Sequence, residues 1–400
     1  MTITEQDDQK VIDLSKERFA QGVPFETFAD LRRRAPLYWH EPDQSWIVTS
    51  YDLLGTINRD PERFSSSGGP TPAGTTSPAT ERGVTILTMD PPEHTKYRRL
   101  VSMDFTPRAI SKWEPLVREL TKECVADFVE AGGGDFVKAV ATLLPMRVIS
   151  KMMGIPRSDE DELIALSNVM ILGADPEYAP PPEAPNAAAM RFAQYAGWLL
   201  DEHRAHPQGD LVDRLLDARV DGEAMSQTEL LAWVVMYITG GAETTRQLLS
   251  NGLISLFEWP DAVRQLQEGA DVATAVEEML RFTTPVMSHA RWPVEPVTFG
   301  EHTIGVGQRT TLWMVSANRD ETVFENPDVF DVTRENNRHD SLGAGGPHFC
   351  LGAGLARLEA RIVFEELTPH LHKMAPAGPH DRAQNTMFNA IKRLPVTVSA

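Results

Sequence analysis

Cys350 lies in the stretch GGPHFCLGAGLAR (345–357), with His348 two residues before it, Gly352 two residues after it, and a helical pattern starting directly behind. The other cysteine, Cys124, sits in KECVADFV, an apolar helical pattern, and is expected to be a small buried core residue. A lone thiol in a glycine-rich loop has few uses. A cysteine nucleophile paired with His348 would place both groups on one short loop, and no oxyanion-hole pattern accompanies them. A structural zinc site wants four ligands at paired Cys or His spacings, and one cysteine is at hand. A thiolate ligand to another metal needs backbone N–H donors around the sulfur, which glycines supply without steric cost. The helix start behind Cys350 would add the positive end of its dipole.

Three further stretches carry residues that could act with it. LLAWVVMYITGGAETTRQLL (230–249) is a nearly continuous apolar helix interrupted by Gly240-Gly241, then by Glu243 and Thr244. Each glycine costs about 1 kcal/mol against alanine inside a helix. The pair therefore marks either close packing against another helix or the approach of something flat to the backbone. A carboxylate in such a helix must be paired or hydrated. In VEEMLRFTTPVMSHARWP (276–293), Glu278 and Arg281 share a helix face. Pro285 ends that helix, and Met287, His289 and Arg291 would point one way from an extended segment. In MDPPEHTKYRRLV (89–101), a double proline starts a helix on which His94 and Arg98 are stacked, as a surface stripe or as a clamp for an anion. One arrangement joins all four: Cys350 as the axial thiolate of a haem iron, the Gly240-Gly241 helix across the other haem face, and His94, Arg98, Arg291 and His348 at the propionates.

The elements that must hold these residues are mostly helical. Residues 36–52 read as a strand pair, 64–82 as a long Ser/Thr/Gly/Pro loop, and 91–170 as helices stopped by GIP at 154–156. A second loose stretch spans 173–188, where three consecutive prolines forbid helix. Residues 188–285 are helical, 297–315 alternate like strands, and the tail MFNAIKRLPVTVSA reads as a final strand pair. With no repeat and no linker, residues 1–400 are expected to form one domain, mostly α with small β-sheets, its first twenty or so residues loosely ordered. Two cysteines make no disulfide framework, and the N-terminus lacks a signal layout, so a reducing, cytoplasmic setting is expected. No apolar run reaches membrane-spanning length. A net charge of −19 argues against nucleic-acid binding but leaves room for a local basic patch facing an acidic protein.

The sequence resembles the cytochrome P450 family of haem-thiolate monooxygenases over about residues 30–400. GGPHFCLGAGLAR is similar to the family's Cys loop, matching Cys350 to the iron ligand and Gly352 to its companion glycine. GGAETT resembles the oxygen-activating motif and puts the acid–alcohol pair on Glu243 and Thr244. EEMLR and FDVTR resemble the family's structural network, giving Glu278, Arg281 and Arg334; ANRD (317–320) and HTKYRR also match. The loop departs from the pattern in carrying Leu342 where the family usually has Phe, with one residue more than the shortest version.

The resemblance implies haem b as cofactor, with no metal besides its iron, buried between the 230–250 helix and the Cys350 helix. Gly241 and Gly352 would lie against it. Residues 64–88 would cover the substrate side and 170–190 would form a mobile lid. Ile86, Met236, Thr239, Gly240, Val286, Met287 and Phe388 would line the pocket. The implied reaction inserts one atom of O₂ into a C–H bond, or a C=C bond, of a hydrophobic small molecule; terpenoids, steroids, fatty acids and aromatic compounds fit equally. No dinucleotide fingerprint follows a strand, so electrons would come from a ferredoxin and its reductase. Lys96, Arg98, Arg99 and Arg357 would offer such a donor a basic face, and the enzyme would be monomeric. A peroxide-driven haem enzyme and a haem sensor or carrier without turnover are the alternatives.

Overall fold

The computed structural model describes residues 12–73, 83–178, 184–343 and 345–399. The first eleven residues and parts of both loose stretches therefore lie outside the described residues. Eight helices carry the architecture: α1 (Glu93–Ser102), α2 (Glu114–Glu130), α3 (Leu143–Met152), α4 (Glu160–Leu172), α5 (Ala184–Ala205), α6 (Gln227–Glu258), α7 (Val272–Thr283) and α8 (Ala353–Leu367). The 32-residue α6 spans about 48 Å at 1.5 Å per residue. Its start is set locally. Ser226 accepts from the Glu229 backbone N–H while the Glu229 carboxylate accepts from the Ser226 N–H, a reciprocal cap. GIP acts as a stop: α3 ends at Met152, and Gly154 turns the chain with φ +64°.

The main core is shared by α2, α3, α5, α6, α7 and α8, with Val117, Leu144, Phe192, Leu253, Val276 and Phe364 fully or almost fully buried. Gly252 marks a close approach of α6 to its neighbours. A Cβ there would meet Phe364 at 2.8 Å and the Met279 sulfur at 3.0 Å, so α7 and α8 could not keep their seats against a side chain. Cys124 is buried as expected, its sulfur accepting from Arg147 Nη1 at 3.1 Å.

The strands are β1 (Leu37–His40), β2 (Ser45–Val48), β3 (Phe64–Ser65), β4 (Ser288–Pro293), β5 (Arg309–Trp313), β6 (Asp381–Arg382) and β7 (Ile391–Arg393), besides short pairs. The first five form one sheet in the order β1-β2-β5-β4-β3, with β2 and β5 parallel and the other pairs antiparallel. Thr310 faces Arg291 and Leu312 faces His289 across β5 and β4, which fixes where the two β4 side chains emerge. The tail does not fold as the expected strand pair. Its first strand, β7, pairs with β6, while Pro395–Val398 joins Met374–Pro376 and Gly133–Asp135 in another sheet. The two tail strands are separated by Leu394 alone, which is buried and leaves no room for a reversing turn.

Candidate active site

The Cys loop is shaped by backbone rather than side chains. Gly343 and Gly345 have φ of +73° and +80°, the left-handed region that suits glycine. A Cβ on Gly346 would come within 2.6 Å of the Asn58 carbonyl, so the loop can lie against the end of the Tyr51–Asn58 helix only with glycine there. The Cys350 N–H donates to the Leu342 carbonyl at 2.8 Å, closing the loop, and Arg98 Nη2 braces it by donating to the Phe349 carbonyl at 2.5 Å. Leu342, at the position that resembles an aromatic one, packs half-buried against the main core. Burial pushes the Cys350 thiol up; the Gly352 N–H bonded to the sulfur and the charges of Arg98 and Arg357 act the other way. That environment suits a thiol that ionises when a metal cation binds it.

Beside the loop lies a cluster of basic side chains. The His94 and His348 rings sit 4.4 Å apart, and Arg291 is buried on β4. Burial, Arg98 and Arg291 hold His94 down at about 4. Burial, with Arg291, His94 and Arg98, holds His348 at about 2. Burial brings Arg291 itself to about 10. Among the described residues, Arg291 Nη1 donates only to the carbonyl of Ala290, and His94 Nε2 is buried with no partner. Two carboxylates, Asp90 and Asp340, act on Arg291 from nearby, and Asp90 is occupied by the Ser65 hydroxyl and by the Ser66 N–H at 2.7 Å. Ser66 Oγ also bonds His348 Nε2 at 2.9 Å. This donor set fits an anionic group: the buried Arg291 guanidinium, with Arg98 beside it, carries charge in low dielectric, and the uncharged His94 and His348 rings add hydrogen-bonding nitrogens, so a pair of carboxylates such as the haem propionates would be held there.

Midway along α6, Gly240 is exposed, and a Cβ built on it would meet nothing within 4 Å. The two glycines divide the two readings. Gly241, expected against the haem, instead packs on α3, where its Cβ would meet Ile149 at 3.3 Å, so Gly240 is the one facing open space. Thr244, one turn on, is half-buried and donates to the Gly240 carbonyl at 3.1 Å. Glu243 is 3 % exposed; both its oxygens are held, by Gln247 Nε2 at 2.5 Å and Arg246 Nη1 at 3.2 Å. Among the described residues it makes no bond to Thr244.

The expected pocket residues separate. Val286 and Phe388 meet in a β-bridge, and Thr239 lies half-buried on the Gly240 turn, its hydroxyl bonded to the Val235 carbonyl at 2.8 Å. Met236 packs half-buried on the main core, and Ile86 belongs to that core at 5 % exposure, its neighbour Leu87 being the exposed one at 46 %. Met287 lies ahead of β4 and is buried with Phe28 and Trp313 in a different cluster, so it does not share a face with His289 and Arg291. His289 bonds Asn58 Oδ1 at 3.0 Å.

Glu278 and Arg281 are both fully buried and form a two-point pair at 2.7 and 2.8 Å. Arg334 Nε adds to the same carboxylate at 3.1 Å, as do the Asp331 N–H and Asn337 Nδ2. Arg281 Nη1 continues to the carbonyl of Asn318, whose side chain bonds Ser341 and the Asp340 N–H at the start of the Cys loop. ANRD is thus the link between the buried ion network and the loop.

On the outer side of Cys350 a surface cavity of about 610 Å³ is lined by Arg98, Arg357, Arg361, Phe349 and Leu358 among others. The four basic residues expected to share a face do not. Lys96 is paired with Glu93 and Asp221, and with Arg99 it borders a separate groove. Arg361, four residues beyond Arg357 on α8, completes the cavity's cations and was legible from that spacing. Ser66, Asp90 and Asn58 carry no chemical signature in the sequence and become visible only through their contacts.

Residues 272–372 match the family model described as Cytochrome P450. A steroid C26-monooxygenase of Rhodococcus jostii is 34% identical over 392 residues, 94% of this chain and 82% of the relative. A methyl-branched lipid omega-hydroxylase of Mycobacterium tuberculosis is 32% identical, covering 93% and 90%. The crystal structure of a Mycobacterium marinum cytochrome P450 in complex with pseudoionone superposes with a TM-score of 0.90 at 33% identity, covering 97% of this chain and 98% of that one. A Bacillus megaterium structure in complex with testosterone gives 0.86 at 29% identity, covering 96% and 100%. Among the described residues no helix is long and apolar enough to cross a membrane. The chain belongs to the cytochrome P450 family, whose members use haem iron and O₂, and is a mostly helical monooxygenase.

Proposed function

We propose that this enzyme hydroxylates a terminal or near-terminal carbon of an elongated apolar substrate, a steroid side chain or a methyl-branched lipid, with haem b as the metal group and an acidic ferredoxin, recharged by its reductase, as electron donor. The substrate class is supported by what the relatives are named for. The observation that carries the site assignment is the cluster of His94, Arg98, Arg291 and His348 beside a lone thiol, with the Arg291 guanidinium buried and His94 Nε2 unpartnered among the described residues.

Bound haem supplies the oxygen chemistry. The chain's own residues do the rest. Cys350 ligates the iron through its thiolate, with the Gly352 N–H supporting the charge. The cluster binds and orients the propionates. Gly240 leaves the backbone of α6 bare, and Thr244 holds a proton at Oγ1 on the same turn. Glu243 relays protons from solvent toward that hydroxyl. Val286 and Phe388 hold apolar substrate against this side. Glu277 and Glu114 share the lining of the outer cavity and pair with Arg357 and Arg361, so Arg98 is the cavity cation without an acidic partner among the described residues and the one that suits a negatively charged donor near the thiolate, despite a net charge of −19 over the whole chain.

The test is a screen of steroids with intact side chains and branched fatty acids for the low- to high-spin absorbance change, followed by turnover with a surrogate ferredoxin and reductase, or with hydrogen peroxide alone. Hydroxylation near the chain end, dependent on the ferredoxin, is the expected result. Turnover supported equally by peroxide alone, or spin shifts confined to compact aromatic ligands, would overturn it.

A further inference from the structure

The carboxylate proposed to deliver protons is not free to do so in this structure. Glu243, Arg246 and Gln247 occupy successive positions on one buried side of α6, spaced i, i+3 and i+4. Gln247 takes one carboxylate oxygen and Arg246 the other. Gln247 is fixed in turn, its Oε1 accepting the Ile391 N–H of β7 at 2.7 Å. Arg246 is fixed from α4, where its Nη1 donates to Asn168 Oδ1 at 2.7 Å. Thr244 turns its hydroxyl the other way, to Gly240.

Arg246 is itself an unusual residue to bury. Its side chain is 4 % exposed, yet Nε and Nη2 have no acceptor among the described residues. The single hydrogen bond to Asn168 leaves its charge uncompensated, and the acidic partner Glu243 supplies the counter-charge. Glu243 is the one carboxylate paired with it among the described residues, and neither group is screened by solvent. Other charge near the pair is distant or balanced. Tyr178, after α4, feels both members, and Lys392 on β7 is engaged by Glu177 and Asp175.

We propose that Arg246 is the positioning residue for proton delivery: its ion pair holds the buried Glu243 carboxylate in register with Gln247, turned away from Thr244, and sets how readily that carboxylate takes up a proton. The proposal rests on the reading of Glu243 as the proton donor to Thr244. Its chemistry is a proton transfer only. Glu243 accepts a proton from the solvent side at a carboxylate oxygen, loses its charge attraction to Arg246, and so becomes free to rotate and pass that proton to Thr244 Oγ1 as the hydroxyl hands its own proton on toward the substrate side, which restores a neutral alcohol and an ionised Glu243. Arg246 keeps its own proton throughout.

The experiment is an infrared pH titration of the ferric holoenzyme, following the carboxylic-acid band that disappears in Glu243→Gln. In Arg246→Gln the midpoint of that band is expected to rise by about 1–3 pH units, since an opposite charge within 4–6 Å shifts a carboxyl by that much. The pH profile of product formed per electron consumed should move with it, and Arg246→Lys should restore both. Arg246→Met, which also removes the two unpartnered N–H groups, serves if the glutamine variant does not fold; replacing a buried ion with apolar volume is often tolerated. An unchanged midpoint in the folded charge-removing variant would overturn the proposal. If Glu243→Gln alone leaves the product yield per electron unchanged, the reading of Glu243 as proton donor fails. If that variant uncouples while Arg246→Gln and Arg246→Met behave like wild type, the donor reading stands and only the role of Arg246 is lost.

Discussion

Glu278→Gln removes one charge from the core without changing its volume, and its cost can be worked from the contacts. The carboxylate receives Arg281 through Nε and Nη2, Arg334 through Nε, Asn337 through its amide, and the Asp331 backbone N–H. Arg281 is fully buried, and its cation also lies over the rings of Phe282 and Phe324. With glutamine in place, two guanidinium groups remain deep in the protein without their counter-charge, and the new amide directs an N–H at one of them. Removing one partner of a buried pair costs about 3–5 kcal/mol. That is a large share of a total stability of about 5–15 kcal/mol. It lowers the folding constant by roughly two to three and a half powers of ten. With a urea slope of about 3 kcal/mol per M, the midpoint falls by about 1 M or more. The loss should reach the site, because Arg281 is tied through Asn318 to Asp340 and Ser341, and the next residue's carbonyl holds the Cys350 N–H. The assay is urea unfolding by far-UV circular dichroism, with the reduced CO spectrum recorded on the same samples. Asp30→Asn, which breaks the exposed pair with Arg34, is the control and should cost less than about 1 kcal/mol. A Glu278→Gln midpoint within the error of that control, with an intact thiolate spectrum, would refute the reasoning.

Replacing Thr244 with Ala should let oxygen and electrons be consumed with less product, measured as product per O₂; unchanged coupling removes its role. Arg291→Gln should weaken haem retention by about 10- to 100-fold, since a charge-assisted hydrogen bond contributes about 1.5–3 kcal/mol; transfer of haem to apomyoglobin measures it. The two glycines of α6 should respond oppositely in thermal unfolding of the apoprotein. Gly240→Ala meets no atom and should gain up to about 1 kcal/mol of helix propensity, whereas Gly241→Val drives into Ile149 and should be destabilising by about 1–3 kcal/mol. Glu277 is held at about 2 by His339 and Arg357 in spite of burial. Its folded value lies below the ordinary carboxylate value of about 4.3, so its stabilisation is present above that pH and drains away as pH falls toward 2. The stability difference between wild type and Glu277→Gln should therefore be flat above about pH 5 and shrink below about pH 4.

Much of this enzyme is legible along the chain because its chemistry is local in sequence. Cys350, His348 and Gly352 share one loop, Glu243 and Thr244 share one helical turn, and Glu278 and Arg281 are joined by helix periodicity. Glycines that a loop or helix centre would otherwise disfavour mark where the backbone must come close or turn back. What only the tertiary structure decided are the questions of facing. Gly240 rather than Gly241 meets open space because the neighbouring α3 places Ile149 on one side of α6 and not on the other. Met287 leaves the site because the chain enters β4 one residue later, which turns that side chain onto Phe28 and Trp313. Lys96 is withdrawn from the basic face by Asp221, 125 residues away, and Ser66, Asp90 and Asn58 enter the site through contacts between segments that share no sequence pattern. Sequence periodicity determines which residues share an element. Which side of that element faces the haem is a property of what packs against the other side, and packing partners are chosen by the whole fold.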